Sequence, residues 1–148
     1  MKNPKSQGAA DTSPKQINQI ATVMVVDDDD NWCFLSRRML QKAGVGKQII
    51  TANNGLEAIK KLQALLANGD KLPDLIFLDI KMPVMDGFEF LDEITKWEAL
   101  SPIHTRIFMC SSSVHYKDKE RADRYPVAGF ITKPLTPEIL KSILTPEN

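Results

Sequence analysis

The chain is 148 residues long and 43% hydrophobic, enough for one ordinary globular core and too little for two full-sized domains. Its 19 Lys and Arg side chains balance 19 Asp and Glu, so it lacks the global basic field that draws proteins onto nucleic acid, and direct nucleic-acid binding is not expected. Cys33 and Cys110 both sit in apolar patterns, with neither a disulfide framework nor a metal-ligand spacing around them, which fits a reducing, cytoplasmic setting.

In chain order, residues 1–20 read as a disordered N-terminal tail. The stretch from Met1 to Gln19 is rich in Lys, Asn, Gln, Ser, Pro and Gly. It cannot bury enough apolar surface to offset its ordering entropy, and it lacks the apolar segment of a signal peptide. No later run is long enough to span a membrane, so no membrane insertion is expected. Residues 21–146 read as one domain, with no output domain after it.

The first strand is expected at Thr22–Val26. Trp32, Leu35, Met39, Leu40 and Ala43 then recur at helical spacing, and Gly44 is placed to stop that helix. A second strand, Gln48–Thr51, precedes an apolar helical stripe of Ala58, Ile59, Leu62, Leu65 and Leu66 that Asn68-Gly69 closes. A third strand, Leu75–Leu78, leads to a third stripe of Phe88, Leu91 and Ile94. A fourth, Ile107–Cys110, is followed by a charged helix between Val114 and Tyr125, shortened by Pro126. After the last strand, Gly129–Thr132, the run Thr136-Pro137-Glu138 reads as cap, first-turn proline and acidic first turn of a final helix. Several strands are continuously apolar, as in a parallel sheet covered on both faces. The βα alternation implies an open parallel α/β sheet with right-handed crossovers, and such sheets place ligands at the carboxyl ends of their strands.

Those ends carry chemistry. The first strand runs into Asp27-Asp28-Asp29-Asp30 and the third into Asp79. Like charges gathered at one sheet edge raise one another's pKa and destabilise the fold unless a cation neutralises them. Mg2+, a hard ion that favours oxygen ligands, suits such a cluster. The plain alternative is that the acidic run is a solvated turn capping the first helix and that Asp79 is a turn residue. The fourth strand ends in Ser111-Ser112-Ser113 and the fifth in Lys133-Pro134. A hydroxyl, an ammonium and an acidic metal site are the parts needed to hold a phosphoryl group while a carboxylate attacks it. His104 and His115 lie in expected loops without a partner at metal spacing and read as surface residues, and Trp32 and Trp97 read as packing residues.

With these segments in hand, VMVVDDDDNW, LIFLDIKMPVMDGFEF, IFMCSSS and GFITKPL together resemble the receiver domain of response regulators, over roughly Thr22 to Leu144. The interval from Ser111 to Lys133 is similar to the family's spacing from hydroxyl residue to lysine, which selects Ser111 among the three serines. The resemblance implies a flavodoxin-like (βα)5 doubly wound parallel five-stranded sheet of order 2-1-3-4-5. It implies that Asp79 accepts a phosphoryl group from a sensor histidine kinase or histidine phosphotransfer protein, with Mg2+ (or Mn2+) as cofactor. Asp28 and Asp79 would bind the ion directly, Asp27 through water, and the backbone carbonyl of Lys81 would add a ligand. Lys133 would contact Asp79 and then the phosphoryl oxygens, aimed inward by a cis Lys133-Pro134 bond. Ser111 and Phe130 would form the switch that remodels the face of the fourth helix, fifth strand and fifth helix, which a downstream protein target reads. Such a protein is a phosphoacceptor in signalling rather than an ordinary enzyme, although it assists its own phosphorylation and dephosphorylation. Ser111 stands where Thr is common in the family and Phe130 where Tyr is frequent.

Two alternatives stand beside this reading. One is a haloacid-dehalogenase-like phosphohydrolase, in which Asp27-x-Asp29 imitates that family's DxD motif and Asp27 is the nucleophile. The other is a pseudo-receiver, a protein-binding adaptor that is never phosphorylated.

Overall fold

A computed structural model describes residues 19–100, 104–113 and 115–144. Its elements alternate along the chain as β1 (Thr22–Val26), α1 (Asp30–Lys42), β2 (Gln48–Ala52), α2 (Gly55–Ala67), β3 (Leu75–Asp79), α3 (Gly87–Ile94), β4 (Arg106–Ser111), α4 (Tyr116–Ala122), β5 (Gly129–Thr132) and α5 (Pro137–Leu144). The five strands form one parallel sheet in the order β2-β1-β3-β4-β5, the doubly wound arrangement that the resemblance implies. The tail expected over residues 1–20 falls, up to residue 18, outside the described residues, and Ile20 is buried. Among the described residues no helix is long and apolar enough to cross a membrane.

Strand side chains alternate between two faces, so each strand feeds two cores. Met24, Val26, Ile76, Leu78, Ile107 and Met109 point to the side covered by α2, α3 and α4. Val23, Val25, Leu75, Phe77, Phe108 and Cys110 point to the side covered by α1 and α5. Burying both faces explains why these segments are continuously apolar: each fully buried aliphatic or aromatic side chain contributes about 1.5–3 kcal/mol.

Helix ends follow their local chemistry. Asp29 caps α1, its side chain accepting from the N–H groups of Asn31 and Trp32, and Gly44 follows the C-cap Ala43 with φ +72, a left-handed conformation open to glycine. Asp86 and Glu89 form a reciprocal capping box on α3, and the Thr136 hydroxyl accepts from Ile139 N–H at the start of α5.

The rotation of α1 differs from the helical stripe expected for it. Cys33, Ser36 and Leu40 are its buried residues, whereas Leu35 is 61% and Phe34 58% exposed, and Ala43 is exposed. Small residues at Cys33 and Ser36 let the helix lie close against the sheet, and that close approach outweighs the larger apolar side chain at Leu35. In α2, Ala58, Ile59 and Leu62 are buried as expected, Leu65 is half-buried and Leu66 is partly exposed. The fourth helix is one short element, Tyr116–Ala122; Val114, its expected start, lies outside the described residues.

The connection from β3 to α3 sets the floor of the acidic sheet edge. Gly87 donates its N–H to Ile80 O at 2.8 Å, and a Cβ there would collide with the Asp79 carbonyl oxygen and lie 3.1 Å from Ile80 Cα. Both obstacles are backbone, so the loop itself has to move. Gly87→Ala is therefore expected to lower the unfolding free energy by about 1–3 kcal/mol, the usual range for overpacking. Urea titration measures this directly; a variant as stable as the parent would mean that the loop shifts freely.

Candidate functional site at the carboxyl edge of the sheet

Four strand ends converge here. Asp27 follows β1 and is 1% exposed; its backbone N–H donates to Ala52 O at 2.9 Å, tying it to β2. Its Oδ1 accepts from Asp29 N–H at 2.9 Å, and its Oδ2 accepts from Lys133 Nζ at 2.5 Å. Asp79 ends β3, half-buried, with Oδ1 accepting from Ile80 N–H at 2.9 Å and lying 3.8 Å from Lys133 Nζ. Asp28 is exposed, yet Asp27, Asp28 and Asp79 each offer a carboxylate oxygen within 4.8 Å of the others.

The four consecutive aspartates thus divide their work. Asp29 is the helix cap, and Asp30 accepts from Asn53 Nδ2 at 2.8 Å, so for these two the solvated-turn reading is sufficient. Asp27 and Asp28 join Asp79 instead. The same division disfavours the DxD reading, because Asp29 Oδ1 is engaged by the N–H groups at the start of α1.

Three carboxylates face one ammonium, and the imbalance is visible in the titration of Asp79. Its pKa is pushed up to about 6, first by burial and then by the charge of Asp27; Lys133 and the Ile80 N–H pull it down, and Asp28 adds a smaller upward push. For Lys133, burial works to lower the pKa, but the hydrogen bond to Asp27 and the charges of Asp27 and Asp79 outweigh it, and the net direction is upward. The ammonium stays charged, and one further cation would relieve the remaining repulsion. The donors on offer are hard carboxylate oxygens, the set that a Mg2+-like ion uses. The residues present therefore fit such an ion.

Ser111 ends β4. Its hydroxyl donates to Ser113 O at 2.8 Å and accepts from Ser113 N–H at 3.3 Å, while its carbonyl accepts from Lys133 N–H at 2.8 Å. The Lys133-Pro134 peptide bond is cis. Phe130 lies opposite Met109 in register, half-buried against the core that includes Ala122 of α4. Lys81 is exposed in the loop after β3. His104 and His115 are exposed. Cys33 and Cys110 are free and buried, with pKa values pushed up to about 11 and 12, in each case chiefly by burial, so neither is poised as a thiolate.

Contacts in two places went unread in the sequence. The Lys133 ammonium lies 4.7 Å from the centroid of the Trp32 ring, so Trp32 does more than pack. The available signal was its place in the first turn of a helix that starts at the acidic run, since helical side chains lean back towards the N-terminus. The second group of contacts ties the short α4 to α3: the Tyr125 hydroxyl donates to Asp92 Oδ1 at 2.5 Å, and the Arg121 guanidinium sits 4.2 Å over the Phe88 ring. The bond to Asp92 raises the Tyr125 pKa.

Comparison with known proteins matches this geometry to one family. A family model described as the response regulator receiver domain matches residues 23–145. Among curated proteins, the chain is 32% identical to the sensor histidine kinase CheAY of Helicobacter pylori over 122 residues, 82% of this chain and 14% of that one. It is 30% identical to the chemotaxis protein CheY of Halobacterium salinarum over 122 residues, 82% of this chain and 92% of that one. It thus spans only a small part of the first relative and nearly all of the second. Among solved structures, a two component response regulator from Cytophaga hutchinsonii aligns with a TM-score of 0.74 at 30% identity, covering 84% of this chain and 93% of that one.

Proposed function

The chain belongs to the response regulator receiver family, and on that premise we propose that it is a phosphoacceptor: a signalling protein that takes a phosphoryl group onto Asp79 and passes the change to a partner protein. The observation that carries this reading is the meeting of Asp27, Asp28 and Asp79 within 4.8 Å, with the Lys133 ammonium 2.5 Å from Asp27 and 3.8 Å from Asp79, at the edge where parallel sheets bind ligands.

The donor is a phosphohistidine of a sensor kinase or phosphotransfer protein. An Asp79 carboxylate oxygen attacks phosphorus, the P–N bond breaks as the O–P bond forms, and the imidazole leaves with its bonding pair, giving an acyl phosphate. A desolvated carboxylate whose pKa stands near 6 is more basic, hence more nucleophilic, than a solvated one, while remaining mostly ionised at neutral pH. Lys133 stabilises charge developing on the phosphoryl oxygens. A bound Mg2+ or Mn2+ supplies further charge neutralisation; Asp28 and Asp79 would hold it directly, Asp27 through water, and the Lys81 backbone carbonyl would add an oxygen donor.

For the switch, the Ser111 hydroxyl exchanges its bond to Ser113 O for one to a phosphoryl oxygen. Phe130 then turns towards the vacated space. Because Phe130 and Ala122 belong to one core, the movement is felt by α4 and remodels the face formed with β5 and α5, which the partner reads.

The test is intact-mass analysis after incubation with acetyl phosphate and Mg2+. One phosphate adduct, dependent on Mg2+ and absent in Asp79→Asn, is expected. An adduct that survives Asp79→Asn and disappears in Asp27→Asn would support the phosphohydrolase chemistry instead. No adduct, under conditions where another receiver labels, would support the adaptor reading.

A further inference from the structure

The Lys133 ammonium is held from three directions. Asp27 and Asp79 draw it from the sheet edge at 2.5 and 3.8 Å, and the Trp32 ring covers it from α1 with its centroid 4.7 Å away. Only 14% of the lysine side chain is exposed. A ring face attracts a cation through its quadrupole, and the attraction grows as water is excluded. An aliphatic side chain of similar bulk would fill the same space without that attraction. Trp32 also packs against the core beneath α1 and α5, so the ring has a fixed seat from which to act.

We infer that Trp32 is a positioning residue for Lys133: its indole face keeps the ammonium in the carboxylate cluster and out of water, and its fluorescence reports when the ammonium leaves for a phosphoryl group on Asp79. The inference rests on the phosphoacceptor reading above. The two carboxylates alone leave one side of the ammonium open, and a hydrated lysine would have to shed water each time it engaged a phosphoryl oxygen. With the indole in place that side is already dry. Once Asp79 is phosphorylated, the strongest anionic partner of Lys133 changes from Asp27 to the phosphoryl oxygens. The separation between ammonium and indole changes with it.

Two measurements decide the matter. In the first, adduct formation from acetyl phosphate with Mg2+ is followed by intact mass in the parent, Trp32→Phe and Trp32→Leu, with thermal unfolding recorded for each. Trp32→Phe keeps a ring face and is expected to react within about twofold of the parent. Trp32→Leu is expected to be about fivefold slower, the equivalent of about 1 kcal/mol of cation–π attraction. Equal rates for the Phe and Leu variants would overturn the inference, since a purely structural role makes no distinction between a ring and a branched chain of adequate bulk. In the second, Trp97→Phe leaves Trp32 as the one tryptophan of the two in the sequence, with the site itself unaltered. Its emission is expected to change in step with the mass adduct and to stay constant when Asp79→Asn is added. An adduct that forms while the emission stays constant would overturn the inference and leave the phosphoacceptor reading standing. If no adduct forms at all, that reading falls and the inference falls with it.

Discussion

Asp79→Asn is expected to make the metal-free protein more stable by about 2–3 kcal/mol at pH 7.5 while removing its capacity to accept phosphate. The ordinary Asp value is 3.8, and in the folded protein burial and the Asp27 charge raise it to about 6. The folded state therefore holds this proton more tightly than the unfolded chain does. Protonation stabilises the fold, so Asp79's contribution grows as pH falls from above 6 towards 4 and is lost as pH rises back through 6. A shift of about two units corresponds to about 2–3 kcal/mol between the two limits. Asn keeps the shape and removes the charge, so the variant lacks this titration. Urea unfolding at a series of pH values should show the parent approaching the variant below about pH 5 and falling behind it above pH 6.5. Millimolar Mg2+ should narrow the gap at pH 7.5, since a bound cation stabilises the ionised parent more than the amide. Parallel pH profiles for the two proteins would show that the charge on Asp79 is not under strain, and would remove the electrostatic argument for its reactivity.

The parts of the molecule that were legible in the sequence are those set by one-dimensional rules. Thr22–Val26 and Gly129–Thr132 were read to the residue because each is a short apolar run between polar or turn-forming neighbours. Strand β4 proved longer at both ends, taking in Arg106 and Ser111, polar residues that hydropathy alone does not assign to a strand; the Arg106 guanidinium donates to Ile143 O at the end of α5. Asp27, Asp79, Ser111 and Lys133 were legible as a group because parallel strands end at one edge, whatever the details of packing. Helix rotation is a tertiary property and was not legible. Choosing Leu35 over Cys33 and Ser36 for the buried face of α1 mistook side-chain size for proximity to the sheet. The place of Trp32 over Lys133 was hidden as well, because it depends on how α1 and the end of β5 come together in space. The Tyr125–Asp92 bond joins residues 33 positions apart, one in the turn after α4 and the other on α3, a pairing that no local pattern marks.

Lys133→Met is expected to have the opposite effect on stability, lowering it by about 3 kcal/mol or more in metal-free buffer at pH 7.5. Asp27 is almost wholly buried, and Lys133 is the cationic partner on its Oδ2, at 2.5 Å. Methionine fills similar volume, but it leaves the Asp27 carboxylate without a countercharge beside Asp28 and Asp79. Breaking a buried pair from one side typically costs about 3–5 kcal/mol, most of it the penalty of the stranded charge rather than the net worth of the pair. Lys133→Met combined with Asp27→Asn should therefore recover most of the loss and be more stable than Lys133→Met alone. Chemical denaturation of the parent, both single variants and the double variant closes the cycle. A double variant whose loss equals the sum of the two singles would mean that the residues act independently, and that the lysine is held by something other than Asp27. A positive coupling together with the stabilised Asp79→Asn protein would define the sheet edge electrostatically. In the unphosphorylated protein Lys133 neutralises Asp27, and the charge left uncompensated is shared by Asp28 and Asp79, where a bound cation would offset it before a phosphoryl group arrives.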